Sequence, residues 1–225
     1  MNQDRIWDHL QTEAPEVFEH SEARLAFLAR RIPRGRVLNV GVGAGLFEQA
    51  ALQRGLEVWA LDPSESTIGD LRERLGLGDR ARAGYGQAMP FEADFFDWVV
   101  LSEVMEHLED DVLAGTMAEV RRVLVPGGTL LGTVPARDDL VANLAVCPDC
   151  GKRFHRWGHV RAFTRDTLRA VLERQLADVR IEERPFVSWR SLNFKGRIAG
   201  AVLLAAARVG VHGSSGNYVF TARKR

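Results

Sequence analysis

VLNVGVGAGLF, residues 37–47, is the stretch whose reading decides the fold. RVLNV (36–40) is a short β-rich run that ends on glycines, the signature of a buried strand. Gly41, Gly43 and Gly45 fall where that strand must turn into a helix over Ala44–Arg54. Glycine permits positive φ there and lets a ligand approach the bare backbone. LEVWAL (56–61) reads as a second strand, and Asp62 closes it, 21 residues after Gly41. A carboxylate at that point can accept both hydroxyls of a ribose in the crevice beyond the strand ends. A glycine loop alone is compatible with a tight turn. Strand, loop, helix, strand and acid in order point to nucleotide binding. A dinucleotide fingerprint places its third glycine where Leu46 stands, one residue later than Gly45, so a pyrophosphate is less expected.

Outward from this stretch, the alternation continues. Apolar Val17, Phe18, Leu25 and Leu28 recur at helical spacing over Glu16–Arg31, and Pro33 and Gly35 stop that helix. Ser64 is placed to cap a helix through Leu75, and a weak strand falls near Arg80–Gly84. FFDWVVLS (95–102) is a strong strand, followed by a helix containing Val120, Val123 and Leu124. Pro126-Gly127-Gly128 is a turn, and TLLGTV (129–134) is the next strand. Thr164 can cap a helix to about Leu176, and VRIEERPF (179–186) and YVFTARK (218–224) are strand-like. Such alternation indicates one α/β domain over 1–225, with a mostly parallel sheet and helices on both faces. N-terminal helices occupy 1–33 in this reading, and about 136–163 fits the alternation poorly and is expected to be an insertion.

The 225 residues carry 30 Lys+Arg against 30 Asp+Glu, 46% hydrophobic residues and two cysteines. That composition suits a globular chain with a full core and gives no general electrostatic footprint for nucleic acid, so none is expected as a partner. Two cysteines make no disulfide framework. The first twenty residues lack the apolar run of a signal peptide, and IAGAVLLAAA (198–207) is about half a bilayer span. A soluble, cytoplasmic protein is expected, its oligomeric state open.

VLNVGVGAGLF, LDPSES, GQAMPFEADFFDWVVLSEVMEHLED and EVRRVLVPGGTLLGTVP resemble successive motifs of class I S-adenosylmethionine-dependent methyltransferases. The match is to the small-molecule, ubiquinone-biosynthesis-like branch and covers roughly 35–135. The resemblance implies a Rossmann-like seven-stranded sheet whose last strand, here GNYVFTARK, is antiparallel and inserted beside the preceding one. It implies that Gly41, Gly43 and Gly45 line the methionine and ribose part of S-adenosylmethionine and that Asp62 binds the ribose. Pro63 and Ser64 would flank the adenine, Gln87, Ala88 and Met89 would cover its edge, and Leu101, Ser102 and Glu103 would lead toward the methionine. Asn39 and Gln87 stand where the family often has acids, so ammonium recognition is expected to differ, while the Gln87 amide can still hydrogen-bond adenine.

Methyl transfer from a sulfonium is an in-line displacement, to which alignment can contribute roughly 7–11 kcal/mol. A base is needed only for a protonated acceptor. His107, after the fourth strand, is the candidate base, and the alternative is a structural histidine held by a backbone group or by Glu103. Glu106 reads as a solvated or helix-terminus charge. CPDCGKRFHRWGH (147–159) offers Cys147, Cys150, His155 and His159, four donors that suit tetrahedral zinc. Zinc held by the cysteines with other partners, a redox pair, packed thiols, or histidines serving the substrate remain open beside it, and Lys152, Arg153, Arg156 and Arg161 could meet an anionic acceptor. The C-terminal segment 184–211 reads as a small-residue core helix over the sheet edge, with a membrane-associated or lipid-like acceptor as the alternative. The function expected is methyl transfer to a small-molecule or glycan-type acceptor. The competing readings are a nucleotide-binding oxidoreductase, and a non-catalytic binding module on the same fold.

Overall fold

The structure, a computed structural model, describes residues 21–189, 192–208, 210–211 and 216–225. The part of the expected N-terminal helices that precedes residue 21 lies outside the described residues. Among those described, seven strands form one sheet, and its order follows from the alternation. β1 (Arg36–Val40), β2 (Glu57–Asp62), β3 (Ala81–Ala83), β4 (Phe96–Ser102) and β5 (Leu124–Pro135) are mutually parallel in the order β3-β2-β1-β4-β5. β9 (Asn217–Arg223) runs antiparallel between β5 and β8 (Ala177–Arg184), so the last strand of the chain is the inserted one. The fold class is therefore the expected Rossmann-like one.

Strand alternation divides the core into two layers. Leu38, Val40, Val99, Leu101 and Leu130 point to one face, under α4 (Asp110–Val123) and α5 (Arg165–Glu173). Val37, Val58, Val100, Leu131 and Val219 point to the other, under α1 (Glu22–Arg31), α2 (Leu46–Leu52) and α3 (Glu65–Arg74). Period-two alternation with both faces covered is what a central parallel strand requires. The helices start where the chain supplies caps. The Ser64 Oγ accepts the Thr67 N–H at 3.3 Å, and Thr164 and Thr167 form a reciprocal capping box. Gly132 is fixed by contact: an added Cβ would overlap the Leu101 carbonyl and the Phe220 ring.

Two regions lie outside the main sheet and its covering helices, the expected insertion and the C-terminal helix. Residues 136–163 carry a separate two-stranded antiparallel hairpin, β6 (Leu144–Val146) with β7 (Arg153–His155). The C-terminal α6 (Phe194–Arg208) is not a core helix. Its glycines pack inward, Gly200 against Val187 and Trp189 and Gly196 against Leu192, which turns Phe194, Ile198 and Val202 toward solvent. Small residues let the helix lie close to the chain beneath it, so its large side chains face away.

Candidate active site

In a parallel sheet, ligands sit beyond the C-terminal strand ends where the order reverses, here between β1 and β4. The sequence-selected residues converge there. Gly41, Gly43 and Gly45 all have positive φ (85°, 56° and 74°), the conformation that only glycine adopts freely. The Gly41 N–H donates to the Leu61 carbonyl, tying the loop to β2, and an added Cβ at Gly41 would lie 2.6 Å from Val104 Cγ2. Asp62 is buried at the end of β2. Its Oδ2 accepts the Val42 N–H (2.8 Å) and its Oδ1 accepts the Ser64 N–H (3.0 Å). Loop and acid are thus one hydrogen-bonded unit. Pro63 is exposed and Ser64 half-buried beside them, and Gln87 and Ala88 are exposed on the turn after β3. Met89 is buried, its N–H donating to Glu119 Oε2 and its carbonyl accepting from Arg122.

Asn39 points to the α2 face, where its Nδ2 donates to Glu48 Oε1 at 2.7 Å. Both side chains are buried, and burial raises the Glu48 carboxyl from 4.5 to about 7. The acid that the strand lacks at position 39 is thereby supplied from the helix. An acid between buried Phe47 and Ala51 was the sequence signal for it.

The end of β4 is braced from outside the sequence motifs. Ser102 Oγ lies 2.9 Å from Thr133 Oγ1 and accepts Arg24 Nε at 3.1 Å. Glu103 takes φ 56°, a costly conformation for a non-glycine residue, and its carboxylate accepts Asn217 Nδ2 at 3.0 Å. α1 and β9 therefore both reach the C-terminal end of β4.

Beyond Glu103 lies a histidine cluster that sequence reasoning only partly anticipated. Glu106 is 1% exposed, not solvated, because its short 3-10 turn, Met105–His107, folds under the incoming chain at Val160 and Arg161. Neither carboxylate oxygen of Glu106 has a hydrogen-bond partner, and burial, then the charge of Glu103, pushes its pKa well up. The His107 ring is held by the Gly158 backbone, and burial lowers its pKa to about 3. A ring that stays neutral to such low pH is a weak proton acceptor, which favours the structural or donor-atom reading over a base. The His159 ring lies 4.6 Å from His107 and stacks on His155 at 4.5 Å, centroid to centroid. His159 Nδ1 donates to Asp138 Oδ2 at 2.5 Å, which leaves its Nε2 lone pair for another partner. Nδ1 of His155 accepts the Trp157 and His159 N–H groups, so its proton sits on Nε2.

The four-donor zinc set is not brought together. Cys147 and Cys150 occupy the tip of the β6–β7 hairpin, whereas His155 pairs with Leu144 at its base, three residues and roughly 10 Å away. The amides of Cys150 and Asp149 lower the Cys147 thiol's pKa. The donor groups that do form among the described residues are Glu106 with His107 and His159, and Asp138 with His155 and His159, each within 4.8 Å.

Residues 38–132 match the family model described as a methyltransferase domain. Over this segment the chain is similar to a methyltransferase domain. The ubiquinone biosynthesis O-methyltransferase of Hahella chejuensis is 33% identical over 132 residues, 56% of this chain and 54% of that one. The chain spans about half the length of this curated relative. An S-adenosylmethionine-dependent methyltransferase from Archaeoglobus fulgidus superposes with a TM-score of 0.64, at 18% identity, over 98% of this chain and 99% of that one. The 1,6-didemethyltoxoflavin-N1-methyltransferase of Burkholderia thailandensis, solved with bound 1,6-didemethyltoxoflavin and S-adenosylhomocysteine, gives 0.65 at 19% identity, over 98% and 86%. At these identities the structural likeness is one of fold.

Proposed function

We propose that this chain transfers a methyl group from S-adenosylmethionine to a hydroxyl of a small-molecule acceptor. The observation that carries the reading is the order of groups along the C-terminal ends of the parallel strands. Asp62, locked to the glycine loop, lies at one end, and the buried Glu106–His107–His159 group follows Glu103 beyond β4. S-Adenosylmethionine supplies the electrophilic methyl carbon. In this reading Asp62 receives the ribose hydroxyls, Pro63 and Ser64 flank the adenine, and Gln87 and Ala88 cover its edge. Gly41, Gly43 and Gly45 leave room for the methionine, Asn39 sets the loop through Glu48, and Ser102 and Glu103 close the far side with Arg24. A buried carboxylate without hydrogen bonds is costly unless a cation compensates it. Glu106, His107 and His159 therefore fit a divalent cation, with Asp138 fixing the tautomer of His159. Such an ion would acidify an acceptor hydroxyl held against it. The name of the Hahella relative supports both an oxygen acceptor and a small molecule.

Calorimetry with S-adenosylmethionine and with NAD, followed by S-adenosylhomocysteine release against phenols, catechols and glycans, tests this reading. Binding of the former only, with turnover on a phenol or catechol that EDTA abolishes and Mg²⁺ restores, supports it. NAD binding overturns it in favour of an oxidoreductase, and cofactor binding without turnover favours a binding module.

A further inference from the structure

The exposed face of α6 is amphipathic in an unusual sense. Phe194, Ile198 and Val202 are 79%, 52% and 63% exposed and lie at i, i+4 and i+8, so they form one stripe. Exposed Ala201 and Ala205 continue it. At 3.6 residues per turn, Lys195 and Arg197 fall on opposite edges of that stripe, and both are exposed. The inward face is the one held at Gly196 and Gly200. Trp189, partly exposed, sits under the helix against Gly200.

Charge singles out the same end of the chain. Although the whole sequence is neutral, the stretch from Arg184 to Arg225 contains eight Lys and Arg and no Asp or Glu. An apolar stripe with a cation on each edge, in a stretch of sequence without acids, matches a surface that is apolar inside and anionic at its rim. We propose that α6 is an interfacial helix that lays this chain on an anionic phospholipid bilayer. Phe194, Ile198 and Val202 enter the acyl boundary, and Lys195 and Arg197 extend to the phosphate layer. The helix lies on the bilayer and does not cross it. Its 15 residues span about 22 Å, against a hydrocarbon core of about 30 Å. No described helix is long and apolar enough to span a membrane. A groove of about 1000 Å³, lined in part by Phe27, Leu46, Phe186, Trp189 and Leu204, opens beside α6. Docking would bring that groove to the lipid surface.

Vesicle flotation of the full chain, without cofactor or acceptor, tests this independently of the proposed chemistry. The vesicles are phosphatidylcholine alone and phosphatidylcholine mixed with phosphatidylglycerol. The wild type is expected to float with the mixed vesicles and not the neutral ones, and to dissociate as salt is raised. Ile198→Glu with Val202→Glu, both at exposed positions, should abolish flotation while S-adenosylmethionine affinity and helical circular dichroism stay as in the wild type. Lys195→Glu with Arg197→Glu should lower partitioning by at least about tenfold. Absence of flotation, equal flotation on neutral vesicles, or flotation that survives the double glutamate variant would each overturn the proposal. A wild-type dimer that the double glutamate variant converts to monomer would also overturn it, because a second copy would then own the face.

Discussion

Asn39 and Glu48 show how a single exchange is absorbed. The strand gives up an acid, and the helix above it returns one at hydrogen-bond distance. The cost is a buried carboxyl whose pKa is raised from 4.5 to about 7. A raised carboxyl pKa means that the folded state binds the proton more tightly than the unfolded one. Its stabilising contribution is complete below pH 4.5 and is lost as pH rises to about 7. Glu48→Gln removes that titration. Between pH 4.5 and 7 the wild type should therefore lose roughly 3 kcal/mol relative to the variant, read by urea unfolding at each pH. A pH-independent difference would contradict the assignment. The histidine cluster carries a second prediction. Glu106→Gln keeps the shape and removes the charge, so turnover should fall by about 10²-fold or more while cofactor affinity stays within a few-fold of wild type. Unchanged turnover would remove Glu106 from the site.

At the scale of elements, the glycine loop, Asp62 and the inserted last strand were legible because each rests on local sequence. Positive φ at three glycines, an acid closing an apolar run, and a β-rich C-terminus are short-range signals. Glu106 was misread as solvated because its neighbours in sequence are polar, while the segment that buries it arrives from Val160, more than fifty residues later. Arg24, Asp138 and Asn217 escaped notice for the same reason: each meets the site only through tertiary packing. The four-donor zinc set does not fit the hairpin geometry, since pairing of Leu144 with His155 leaves both cysteines at the far tip. Cys147→Ser with Cys150→Ser should accordingly leave turnover and cofactor affinity within about twofold of wild type. A large loss of bound metal and activity would restore the four-donor site. Packing between elements gives a further test at Gly132. An added methyl would strike both the β4 backbone and Phe220 of β9. Gly132→Ala should cost about 3 kcal/mol, the upper end of overpacking. For a chain of this size that corresponds to a fall in Tm of roughly 6–12 °C by calorimetry. A Tm within 2 °C of wild type, taken as roughly the resolution of the comparison, would show that β4 and β9 are not packed as described.

On the scale of the whole molecule, one face of the sheet's C-terminal edge gathers residues from nearly the full described chain. α1 supplies Arg24, β1 and β2 supply the loop and Asp62, β4 supplies Ser102 and Glu103, the hairpin region supplies His159, and β9 supplies Asn217. That convergence is what a methyltransferase needs, because the protein's share of the chemistry is alignment of acceptor and methyl carbon. The central claim is that Asp62 and the glycine loop form the ribose end of an S-adenosylmethionine site. The most direct measurement is a calorimetric titration of wild type and Asp62→Ala with S-adenosylmethionine. The account predicts one binding event for the wild type and an affinity lower by about 10²-fold in the variant, since a charge-assisted pair of hydrogen bonds is removed. Equal affinity in the two proteins, or no binding to the wild type, would contradict it.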